Sequence, residues 1–85
     1  MDETPVWLYL TVPKIDYLQF RAALKEVTEN FAPFEGAISV SEVSLYNKHI
    51  IYSCLYHTFH ALPPDYQDLL RMFTQIIKDE KGNTL

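Results

Sequence analysis

The chain has 85 residues, 48% of them hydrophobic and 21% charged, with only two glycines. That length suits one domain and excludes two, and the composition is far from a disordered profile. Seven basic against eleven acidic residues leave a formal charge of −4, which argues against a generic phosphate-backbone binder, since such proteins carry a basic stripe.

Residues 6–12, VWLYLTV, are β-branched and aromatic and run into Pro13. This predicts a strand with a hard stop. Val6, Leu8, Leu10 and Val12 share one face of it, and Trp7, Tyr9 and Thr11 the other. Asp16 is placed to cap a helix, with Gln19 as the returning partner of a capping box. Ile15 and Phe20 are spaced as a hydrophobic staple. Tyr17, Phe20, Leu24, Val27 and Phe31 then recur at spacings of three and four, which is one helical face. Pro33 disfavours helix at Ala32, so the helix is expected to end near Phe31.

PFEG at 33–36 is a turn. Residues 37–46, AISVSEVSLY, alternate apolar and small polar side chains, but the phase slips: Ile38 and Val40 are even, Val43 and Leu45 odd. A β-bulge near residues 41 and 42 repairs the phase and keeps Glu42 from pointing at the helices. Asn47 with Lys48 suits a tight hairpin turn, where glycine would be the stronger second residue. HIIYSCLYHTF, 49–59, is a third strand, apolar on both faces as a central strand would be. After Pro63, Pro64 suits the first position of a second helix, with Asp65 and Asp68 at its positive end. Tyr66, Leu69, Leu70, Phe73, Ile76 and Ile77 give it an apolar face, and Lys78, Lys81 and Gly82 an exit.

The predicted architecture is a single α+β domain over 1–85, with 1–5 and 82–85 frayed. Its order is β-α-β-β-α: a three-stranded mixed sheet of order 1-3-2 with two helices on one face. In topology alone it resembles a ferredoxin-like fold without its last strand. Such a truncation leaves one sheet face bare and the edge of the first strand unpaired, with no charge or proline in 6–12 to protect it. If Ile51, Leu55 and Phe59 face the helices, then Ile50, Tyr52, Cys54 and Tyr56 join Trp7, Tyr9 and Thr11 in an exposed aromatic patch. Such patches mark binding sites. The reversed parity, with Tyr52 and Tyr56 in the core and their hydroxyls at its rim, stays open.

Cys54, His57 and His60 have CxxH and HxxH spacing, which invites a metal or a nucleophile. In a strand, side chains three apart point to opposite faces, so Cys54 and His57 cannot meet. No cofactor or metal is therefore expected. One cysteine forms no internal disulfide, and MDETP lacks the basic region of a signal peptide. The apolar runs are too short to span a bilayer, and no membrane association is expected. These features lead to a cytoplasmic protein as the expectation. The functional expectation is a small protein-interaction module, acting stoichiometrically as a regulator, inhibitor or adaptor of a larger protein. Its expected contact surface is Trp7, Tyr9, Thr11, Ile50, Tyr52 and Tyr56, with homodimerisation through the same face as a related outcome. Nucleic acid is the wrong partner for the acidic balance. The alternative is a small dimeric ferredoxin-like enzyme or metabolite binder with a pocket between sheet and helices, and His57, Tyr52 and Tyr56 as acid–base groups.

Overall fold

The computed structural model describes residues 6–44, 46 and 48–76. The expected fraying of 1–5 and 82–85 lies outside the described residues. The elements in chain order are β1 (Trp7–Pro13), α1 (Tyr17–Asn30), β2 (Ile38–Ser44), β3 (His49–Leu55), α2 (Tyr56–Ala61), α3 (Pro64–Arg71) and β4 (Gln75–Ile76). The fold is α+β, and β1, β3 and β2 lie in the expected order 1-3-2. The sheet is not mixed, however: β3 is antiparallel to both β1 and β2. With β1 and β2 running the same way and the hairpin reversing β3 between them, a 1-3-2 sheet has only antiparallel neighbours.

Two further departures follow from helical and β propensities that a single apolar run does not distinguish. The third strand stops at Leu55, and residues 56–59, expected to extend it, open α2 instead. The last helix stops at Arg71, where the Thr74 hydroxyl donates to the Leu70 carbonyl at 2.9 Å. The chain then turns into β4, which pairs antiparallel with β1 at Leu10 and Thr11. The sheet order is thus β2-β3-β1-β4. The edge of β1 is occupied at these two residues, where an open edge was expected. The exit expected at Lys78, Lys81 and Gly82 lies outside the described residues.

The start of α1 also differs. A 3-10 turn at Lys14–Asp16 leads into it, and Asp16 makes no side-chain capping bond. Ile15 is 91% exposed while Phe20 is buried, so the staple does not form. The apolar face itself is as expected: Phe20 and Val27 are fully buried, with Tyr17, Leu24 and Phe31 packed against the core.

Burial alternates along β1 and β3. Leu8, Leu10 and Val12 of β1 and Ile50, Tyr52 and Cys54 of β3 form one cluster. Phe20, Ala23 and Val27 of α1, Phe59 of α2 and Leu70 of α3 complete it, so the three described α-helices serve one side of the sheet. Phe34, in the turn after α1, is fully buried as well. The parity on β3 is therefore the reverse of the one that exposes Tyr52. Ile50 and Tyr52 face the helices, and Tyr52 stacks at a tilt on Phe20 with ring centroids 5.0 Å apart.

The bulge in β2 falls where the phase slip places it. Val40 pairs with Tyr52 and Glu42 with Ile51, leaving Ser41 as the extra residue. Val43 then returns to the helix side opposite Ile50, and Glu42 lies with Ile51 on the other face.

Candidate functional site

Two surfaces carry apolar side chains that the core does not fully cover. The first is the outer face of the sheet. The register sets Trp7 opposite Leu55, Tyr9 opposite Ser53 and Thr11 opposite Ile51. Paired residues point to the same side, so these six form two rows facing away from the helices, all half-buried. Ser39, Glu42 and Ser44 of β2 continue the face with polar groups. A shallow depression of about 390 Å³ lies among Trp7, Tyr9, Ser39, Val40, Ser41 and Ser53.

Of the six expected contact residues, the structure brings Trp7, Tyr9 and Thr11 together here. Ile50 and Tyr52 belong to the core side, and Tyr56 sits on α2, half-buried, stacked on His60 at 4.2 Å between centroids. Ile51 and Leu55 take the places on β3 that Ile50 and Tyr52 were expected to hold. Their signal was present in the sequence as the other half of an alternation with two apolar faces.

The second surface is a groove between α1 and the edge strand β2, about 740 Å³ in volume. Its apolar wall includes Leu18, 76% exposed, and Val40, 52% exposed. Arg21 and Lys25 stand on the α1 side and Glu35 near the turn. The Arg21 guanidinium lies over the Tyr17 ring, 5.6 Å from its centroid. Tyr52 lines the groove with its ring in the core. Burial pushes the Tyr52 phenol up from its ordinary range; Tyr17 adds to the shift and Arg21 opposes it. Leu18 is the residue that sequence reasoning missed: it is a large apolar side chain off the helix's core stripe.

The histidine and cysteine positions do not assemble. Cys54 is fully buried, and burial raises its thiol pKa to about 12. His57 and His60 lie one turn apart on α2, both exposed. The His60 Nδ1 is 3.3 Å from the Tyr56 carbonyl. No group of three or more His, Cys, Asp or Glu side chains among the described residues could hold a metal ion. The three acid–base candidates are also dispersed: Tyr52 lines the groove, whereas Tyr56 and His57 belong to α2. No helix among the described residues is long and apolar enough to cross a membrane.

Comparisons of the chain with protein-family models, with curated proteins and with solved structures found no match.

Proposed function

We propose that this chain is a small protein-interaction module of ferredoxin-like topology, acting stoichiometrically on a larger protein. Its contact surface is the outer sheet face, built on Trp7, Tyr9, Thr11, Ile51 and Leu55. The observation that carries the reading is the alternation of burial on β1 and β3. Every described helix packs on one side of the sheet, yet the other side still carries Trp, Tyr, Ile and Leu at its centre. A face serving only solvation would carry the polar residues that β2 shows at Ser39, Glu42 and Ser44. Large amphipathic rings and aliphatic side chains gathered on one face match the composition of interface cores. The β4 pairing at Leu10 and Thr11 moves the contact from the edge of β1 to its face.

Truncating a Trp at the centre of an interface typically costs about 2 kcal/mol or more, roughly thirtyfold in Kd. The test compares the wild-type chain with Trp7→Ser and Tyr9→Asp by sedimentation velocity and by cross-linking in the native host. Circular dichroism confirms that each variant is folded. Loss of a discrete complex, with a partner or a second copy, supports the reading. Association unchanged in both folded variants refutes it. The enzymatic alternative has no observation of comparable weight, since its acid–base groups lie on separate surfaces.

A further inference from the structure

The groove between α1 and β2 has the parts of a strand-accepting site. Among the described residues β2 ends the sheet, and β3 is its one neighbour in the strand order. The Leu55 N–H donates to the Ala37 carbonyl at 2.9 Å. In an antiparallel ladder the residues that bond inward alternate. Ser39, opposite Ser53, therefore bonds inward too. Ile38 and Val40 then direct their N–H and C=O groups off the sheet edge. Both residues line the groove, and both precede the Ser41 bulge, which interrupts the ladder beyond them. The usual protections of an edge, a bulge and a charge at Ser41 and Glu42, thus guard one half of β2 and leave the half beside the groove open.

The groove's chemistry says what would enter. Apolar side chains come from both walls, Leu18 and Ala22 from α1 and Val40 from β2, and Arg21 and Lys25 also stand on the α1 side. Among its described lining residues Glu35 is the one acid against Arg21 and Lys25, so these side chains give the groove a net positive charge on a chain whose formal charge is −4. The Arg21 side chain, laid along the Tyr17 ring, presents its guanidinium in a defined place.

We propose that this groove binds an extended peptide segment of another protein. The segment adds a strand to β2 at Ile38 and Val40, lays an apolar side chain against Leu18, and pairs a carboxylate with Arg21. Main-chain bonds at a sheet edge supply affinity in this mode of recognition, and alternate side chains supply specificity. A guanidinium favours a planar carboxylate that it can grip through two bonds. This site opens on the helix side of the sheet, meets the outer-face depression only at Ser39 and Val40 on the β2 edge, and does not rest on the function proposed for that face.

The test selects a displayed library of random heptapeptides on the whole chain. The expected peptides carry an acidic residue close to an aliphatic one. In protein NMR they shift the amides of Ile38 and Val40, and their binding weakens about tenfold on Arg21→Glu, the equivalent of one lost charge-assisted pair. Trp7→Ser leaves their binding unchanged. Several outcomes overturn the proposal: no enrichment above the Arg21→Glu background, enriched peptides without an acid, or shifts confined to the outer face. A homodimer that Arg21→Glu dissociates also overturns it, because a second copy would then fill the groove.

Discussion

Cys54 should contribute to the loss of stability at alkaline pH. Its side chain is fully buried, its thiol points at the Leu55 carbonyl at 3.7 Å, and burial lifts its pKa from 9.0 to about 12. In the unfolded chain the thiol ionises near its ordinary value. Between these two values the unfolded state has released a proton that the folded state keeps, so stability falls as pH rises. The contribution is fully present below pH 9 and is lost progressively above it. At pH 10 the loss amounts to about 1.4 kcal/mol, with a slope of roughly 1.2 kcal/mol per pH unit. A domain of this size has about 5 kcal/mol in total, so the effect is well within reach of urea denaturation at pH 7, 9 and 10. Cys54→Ala loses some packing at every pH, but its alkaline slope should be shallower by that amount. Tyr52, whose phenol is also raised, contributes equally to both proteins and cancels. A Cys54→Ala variant with the wild-type slope would refute the placement of Cys54 in the core. So would a native thiol that reacts with a disulfide reagent as fast as a free cysteine.

Lys48 holds a left-handed backbone at φ 56°. Lys48→Gly removes the steric cost of that conformation, roughly 1–2 kcal/mol, against the greater chain entropy of glycine. The net gain should be about 0.5–1 kcal/mol, a rise of several degrees in Tm by thermal denaturation; an unchanged or lower Tm contradicts the turn geometry. Deleting Ser41 should leave the protein folded within about 1 kcal/mol, because Val40 and Glu42 already pair with adjacent residues of β3. Deleting Ser39 instead forces either Ile38 or Val40 off the helix side and should cost about 1.5 kcal/mol or more. Equal urea midpoints for the two deletions would refute the bulge.

Much of this architecture is legible in the residues, and the illegible parts have identifiable causes. The slip between Val40 and Val43 locates a bulge because β2 has one apolar face, so a change of phase shows. On β3 the same method fails. Ile50, Tyr52 and Cys54 alternate with Ile51 and Leu55, and both sets are apolar. Only the packing of Phe20 against Tyr52 decides between them. The boundary at Leu55 was hidden for a related reason: Tyr56 and Phe59 satisfy a strand in chemistry and a helix in spacing. Phe59 reaches the core from α2, whereas continued strand alternation would have set it on the face of Ile51. The short β4 carried a signal, the β-branched Thr74 and Ile76 after a long apolar helical face, but the helical period absorbed it. On the outer face Trp7, Tyr9 and Thr11 were readable because β1 needed no choice of parity.

The two surfaces differ in chemistry because β2 sits between them. On the outer face its row is Ser39, Glu42 and Ser44, so the apolar area is confined to β1 and β3. On the helix side its row is Ile38, Val40 and Val43, and the last two are 52% and 53% exposed. The bulge at Ser41 produces this division. Were Ser41 paired in register instead of bulged out, unbroken alternation from Ile38 would carry Glu42 to the helix side and Val43 to the outer face. That would bring a carboxylate to Val43's place opposite Ile50, at the margin of the core. It would also set Val43 in the outer row at the end that Ser44 now occupies. The bulge thus keeps the acid away from the margin of the core and bounds the outer apolar face. It also ends the regular edge of β2 after Val40, beside Arg21 and Leu18. A partner centred on Trp7, Ile51 and Leu55 would cover β1 and β3, while a strand added at Ile38 and Val40 would lie on the far edge; the two meet only at Ser39 and Val40, so they can be occupied together. Binding of the selected peptide should therefore leave the Trp7-dependent association intact, and competition between them would show that the two surfaces are one.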